Sequence, residues 1–182
     1  MQETALKKRY TYKDYLRTPE DRRYELIEGE LLMIPAPIPR HQRISRRLEY
    51  VLERFVSEND LGEVFDAPID VYLDNENVVQ PDILFISKDR LRIIGEKNIE
   101  GPPCLVIEIL SEETAHRDLI QKKRLYERFG VKEYWIVDPV KERVELYTLS
   151  GTTYTLCKTY TKEEELASLL LEGLKIDLKE VF

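Results

Sequence analysis

Residues 104–139 read CLVIEILSEETAHRDLIQKKRLYERFGVKEYWIVDP. CLVIEIL is a continuous run of strand-forming residues, and EYWIVDP is a second. Between them HRDLIQKKRLYERFG reads as a helix, closed by Gly130, a residue suited to a left-handed cap. A helix between two strands is the usual crossover of a parallel pair. The apolar continuity of CLVIEIL suits a central strand covered on both faces. One residue breaks that continuity. Glu108 stands among β-branched side chains, and a buried carboxylate is costly unless it is paired, hydrogen-bonded or bound to a metal.

Working outward, VVQPDILFIS supplies the strand before this unit, and EVFDAPIDVYL another, with Pro68 marking an edge or bulge. HQRISRRLEYVLERFVSEND carries Ile44, Leu48, Val51, Leu52 and Phe55 at helical spacing. YTYKDYLRTPED is a short helix capped by Thr11, and RYELIEGELLMI is a hairpin turning at Glu28-Gly29. RVELYTL and TYTLCKTY form a second hairpin at Ser150-Gly151, before an apolar turn and an amphipathic close. The expected architecture is α/β: a mixed sheet flanked by helices, with extra N- and C-terminal hairpins.

Length and composition fit one soluble domain over residues 1–182. The chain has 182 residues, 42% hydrophobic and 35% charged, with a formal net charge of −7. That balance argues against a broad basic coat for non-specific nucleic-acid binding, though not against a local basic groove. Two cysteines, Cys104 and Cys157, give neither a zinc site nor a disulfide framework. There is no apolar leader and no run approaching a membrane span, so a cytoplasmic protein with no membrane partner is expected.

The chemistry gathers around Glu108. Strand alternation sets it on one face with Val106 and Leu110, and sets Asp82 on a face with Leu84 and Ile86. If the two strands are neighbours, both carboxylates converge at one end of the sheet. For Asp82 alone, turn initiation after Pro81 is an adequate structural explanation. In the following helix Ala115, Leu119, Tyr126 and Phe129 form the apolar stripe, and Lys122 falls inside it. Asp118 lies at its margin and Lys123 at its edge, as the substitute lysine. An Asp118–Lys122 pair would contribute only a few tenths of a kcal/mol, and does not explain a lysine that faces the sheet. Two carboxylates and a lysine suit a hard divalent cation, Mg²⁺ or Mn²⁺, acting on a phosphodiester.

PD, then an acid in EIL, then RDxxxK before GVKEYWIVDP resembles the Uma2 family of the PD-(D/E)xK nuclease-like superfamily. YELIEGEL, His41, VVQPDILFIS, IEILSEET and SLLLEGLKIDL extend the likeness over nearly the whole chain. The resemblance implies a restriction-endonuclease-like fold and a metal-dependent endonuclease acting on DNA. The alternatives are a non-catalytic binding or regulatory protein of the same fold and hydrolysis of another phosphate ester. By the same resemblance Asp82, Glu108 and the carbonyl of Ile109 bind the metal, and Lys122 completes the site. The wider superfamily places its lysine two residues after the strand acid, where this chain has Leu110.

Around this set, Glu25 is either an auxiliary acid or an exposed strand residue, and His41 reads as a hydrogen-bonded packing residue more readily than a ligand. Arg40, Arg43, Arg46 and Arg47 read as a solvated face, and Trp135 as core. A homodimer is expected on the general frequency of twofold assemblies.

Overall fold

The crossover read from residues 104–139 frames the molecule. β8 (Leu105–Ile109) lies parallel to β9 (Glu133–Asp138), with Glu108 opposite Ile136. The computed structural model describes residues 8–111 and 118–182, with the backbone alone at 118 and 119. Of the connection between the two strands, the described residues form a π-helical turn, Asp118–Lys122, that continues as α3 (Lys123–Phe129). Gly130 ends α3 at φ 78°, the left-handed conformation that glycine adopts without steric penalty.

β8 and β9 sit in a six-stranded sheet ordered β11-β10-β9-β8-β6-β3. β3 is Gly62–Asp66, β6 Ile83–Ser87, β10 Arg143–Ser150 and β11 Thr153–Thr161. β6 runs antiparallel to β8, with Ile83 opposite Ile107. One step further along that register, Asp82 falls beside Glu108. Gly62 starts β3 where a Cβ would meet the carbonyl of Ile86, so no side chain fits there.

The fold class agrees with the sequence, but the strands divide differently. The N-terminal hairpin, β1 (Arg23–Ile27) and β2 (Glu30–Ile34), belongs to a separate sheet. That sheet is ordered β2-β1-β5-β4-β7, with β4 Val71–Asp74, β5 Asn77–Val79 and β7 Ile99–Glu100. EVFDAPIDVYL is thus two strands, β3 and β4, in different sheets. NENVVQPDILFIS is likewise two, β5 and β6. Both switches lie beside a proline, Pro68 or Pro81, which cannot donate to a ladder. The C-terminal hairpin β10–β11 does extend the main sheet. The tail forms a small pair, β12 (Glu165–Ala167) with β13 (Lys175–Asp177), then α4 (Leu178–Val181).

Two cores follow from strand alternation. On one face of the main sheet, Ile107, Ile109, Trp135 and Val137 pack against Ile44, Leu48, Leu52 and Val56 of α2 (Pro39–Glu58). Each fully buried aliphatic of that stripe contributes about 1.5–3 kcal/mol. Pro39 occupies the first turn of α2, where its missing N–H is no loss. On the other face Leu84, Val106 and Ile136 pack against Leu125 and Tyr126 of α3 and against Ile27, Val71 and Val79 of the second sheet. The site lies where these layers meet. No helix among the described residues is long and apolar enough to cross a membrane. α1 (Tyr12–Tyr15) starts at Thr11 with a capping box to Asp14, as its sequence suggests.

Candidate active site

Glu108 points from β8 toward the crossover, into a side-chain cluster that the fold assembles from three elements. Its carboxylate accepts hydrogen bonds from Lys122 Nζ at 3.0 and 3.1 Å and from the Tyr126 hydroxyl at 2.6 Å. Lys122 is buried, as its position inside the apolar stripe implied. Its ammonium also meets Glu25 Oε1 of β1 at 2.8 Å. Glu25 in turn accepts from the backbone N–H of Gln80 at 2.8 Å. One lysine therefore bridges two buried carboxylates from two different sheets. Burial, then the charges of Glu108 and Glu25, push the Tyr126 phenol well above its ordinary pKa. Tyr126 thus stays protonated and remains a donor.

Asp82, at the mouth of β6, is half-buried. Its Oδ2 accepts from the backbone N–H of Ile109 at 2.7 Å and lies 3.2 Å from His41 Nε2. The Ile109 bond ties the end of β8 to the β5–β6 switch and fixes where Asp82 can point. Burial opposes protonation of His41, but the hydrogen bond and charge of Asp82, with the Ile109 backbone, outweigh it and raise its pKa. His41 is therefore a hydrogen-bonded partner of Asp82 at the start of α2.

A cleft of about 770 Å³ joins these groups. Glu25, His41, Asp82, Glu108, Ile109 and Lys122 all line it. Arg40, Arg43 and Arg46 line it too, so part of the face expected to be merely solvated borders the site. Arg47 turns away and donates to the carbonyl of Val181 at 3.2 Å. Lys123 is not among the lining residues; its ammonium sits 3.7 Å from the centre of the Tyr147 ring. The side chain of Asp118 lies outside the described residues.

The donor set suits a hard cation. Glu25, Glu108 and Asp82 place three carboxylates on the same cleft, and carboxylate oxygens are the ligands that hard divalent ions take. Among the described residues no three His, Cys, Asp or Glu side chains converge on one point. A cation here would rest on two carboxylates, a carbonyl and water, the usual protein share for Mg²⁺.

Comparison with known proteins adds an independent finding. A family described as "Uma2: Putative restriction endonuclease" matches residues 12–179. The chain belongs to the Uma2 family. The Uma2 likeness read from PD, EIL and RDxxxK is thereby borne out. A crystal structure of a "putative nuclease belonging to DUF820" from Anabaena variabilis shares the fold. Its TM-score is 0.78 at 20% identity, over 94% of this chain and 97% of that one. No curated protein matches the chain.

Two members of the cluster escaped the sequence reading. Gln80 holds Glu25 through its backbone, and its side chain joins Arg23 Nε at 2.9 Å and Asp70 Oδ1 at 2.8 Å. Tyr126 was legible only as an apolar stripe residue. Its hydroxyl becomes significant only once Glu108 is known to sit beneath it.

Proposed function

We propose that this Uma2 protein is a divalent-cation-dependent endonuclease that hydrolyses DNA phosphodiester bonds. The observation that carries the reading is the shared cleft: Asp82, Glu108 and Lys122 line it together, with arginines at its margin. Asp82, Glu108 and the carbonyl of Ile109 would hold Mg²⁺ or Mn²⁺. When bound, such an ion polarises the phosphodiester and lowers the pKa of a water.

The protein's own groups account for the rest. Lys122, held between two carboxylates, is placed to orient the nucleophile and to balance charge developing on the phosphate. Glu25 holds Lys122 from the second sheet and keeps it in place when Glu108 engages a cation. His41 orients Asp82. Arg40, Arg43 and Arg46 attract the phosphate backbone and fix its register.

A second reading has its own support. Glu108 already accepts from Lys122 and Tyr126, as a purely structural acid would. On that reading the chain is a nuclease-fold binding or regulatory protein.

Cleavage assays on single-stranded and duplex DNA, with Mg²⁺, Mn²⁺ or EDTA, separate the two. The nuclease reading expects metal-dependent cutting by the wild type and a loss of about 100-fold or more in Asp82→Asn, which removes a ligand of the ion that would stabilise transition-state charge. Cutting that survives in Asp82→Asn would point to another site or a contaminant. No cutting under any condition favours the binding protein.

A further inference from the structure

The cleft lining is divided by chemistry in a way that catalysis alone does not require. Arg40, Arg43 and Arg46 recur every third residue on the first turns of α2, and all three are exposed. Beside them the segment leading into α2 contributes Ala36, Pro37 and Ile38, and the β9–β10 turn contributes Val140. Ile38 and Val140 are 64% and 72% exposed. The two segments are held near each other, since Arg40 reaches Glu142, just past Val140, at 3.3 Å. Scattered exposed aliphatics need no explanation, but exposed aliphatics that line one cleft together with arginines suit a ligand with both a charged and an apolar face.

Glu49 and Asp66 also line the cleft, Glu49 almost one turn beyond Arg46. They repel phosphate, so the arginine track on α2 is short; the further arginine of the cleft, Arg23 of β1, donates its Nε–H to the Gln80 side chain at 2.9 Å. A B-form duplex keeps its base faces stacked inside, away from an aliphatic surface. A single strand presents a phosphate chain and open base faces side by side.

We propose that the cleft accepts single-stranded DNA, with its phosphates along Arg40, Arg43 and Arg46 and its bases against Pro37, Ile38 and Val140. This rests on the nuclease reading only for the class of ligand. Ile38 and Val140 are then specificity-determining residues that select strands with unpaired bases.

Fluorescence anisotropy, in EDTA and again in Ca²⁺, tests it with a labelled strand of about 20 nucleotides, its duplex, and an abasic strand of equal length. The wild type is expected to bind the single strand about tenfold or more tighter than the duplex, a difference of roughly 1.4 kcal/mol. The exposed-site double variant Ile38→Ser/Val140→Ser should lose most of that preference while binding the abasic strand as the wild type does. Arg43→Ala/Arg46→Ala should weaken binding to all three.

Equal or tighter binding of the duplex, or a serine variant indistinguishable from wild type, overturns the proposal. The nuclease reading fails separately. Metal-dependent cutting without strand preference would leave it standing and remove this inference. Tight, base-dependent binding without cutting would do the reverse.

Discussion

Glu108 and Glu133 lie on adjacent parallel strands of one sheet and are both buried, yet their surroundings differ in kind. Glu133 faces the α2 side, in line with Trp135. Its oxygens accept from the Trp135 indole at 2.8 Å and the Ser168 hydroxyl at 2.7 Å, and from the N–H groups of Leu169 and Leu170 at 2.9 and 2.8 Å. Four neutral donors close around it, three of them from the turn between β12 and β13. Glu108 faces the opposite side, meets an ammonium and a phenol, and lines an open cleft. A buried acid enclosed by neutral donors clamps a distant segment to the sheet. A buried acid beside a lysine at a cleft keeps charge where a ligand can reach it. Burial alone therefore does not mark a functional acid; the donors and the access do.

Three substitutions probe that contrast, and the largest effect belongs to the lysine between two acids. Lys122→Met removes the ammonium that both Glu25 and Glu108 meet in a buried site. Removing one partner of a buried ion pair costs about 3–5 kcal/mol. At roughly 2–4 °C per kcal/mol for a chain of this size, the thermal midpoint followed by circular dichroism should fall by about 10 °C. A Lys122→Met protein that melts like wild type would mean that the acids do not depend on Lys122.

Glu133→Ala comes next. It strips the acceptor from four donors, and each hydrogen bond to a charged group is worth about 1.5–3 kcal/mol, less the part that water restores. A loss of about 3 kcal/mol is expected, read in urea melts, with proteolysis appearing first near residues 168–170. Metal response should be unchanged. If Glu133→Ala abolished metal response while leaving stability intact, the contrast between the two acids would be reversed.

The parts of this arrangement that were legible in the sequence are the local ones. The crossover was readable because two apolar runs flank a helix that Gly130 stops. Lys122 was readable because a lysine inside an apolar stripe has few structural explanations. Asp82 and Glu108 could be paired because adjacent strands were expected, and the register sets them side by side.

Glu25 was harder to place. In YELIEGEL it alternates with apolar neighbours like a solvent-facing residue, and only α3, packed over β1, makes its face an interior one. The two-sheet division was hidden because VVQPDILFIS carries strand-forming residues on both sides of Gln80–Asp82, and the break at Pro81 reads equally as a strand start. Glu133 gave no signal at all. It reads as the polar first residue of EYWIVDP, and three of its four donors come from a turn more than 30 residues away. Trp135, read as core, is fully buried.

The smallest stability effect should come from Glu108→Gln, and that makes it the most direct test of a metal site at Glu108. The change removes the charge with little change in shape, while Lys122 keeps the carboxylate of Glu25 at 2.8 Å. Without metal, the variant should melt within about 1 kcal/mol of wild type, because the buried lysine is not left alone. Added Mn²⁺ or Mg²⁺ should stabilise the wild type by about 2.7 kcal/mol at a hundredfold excess over its dissociation constant, and leave Glu108→Gln unmoved. A wild type indifferent to both ions, beside a Glu108→Gln protein destabilised by several kcal/mol, would show that Glu108 is a structural acid like Glu133.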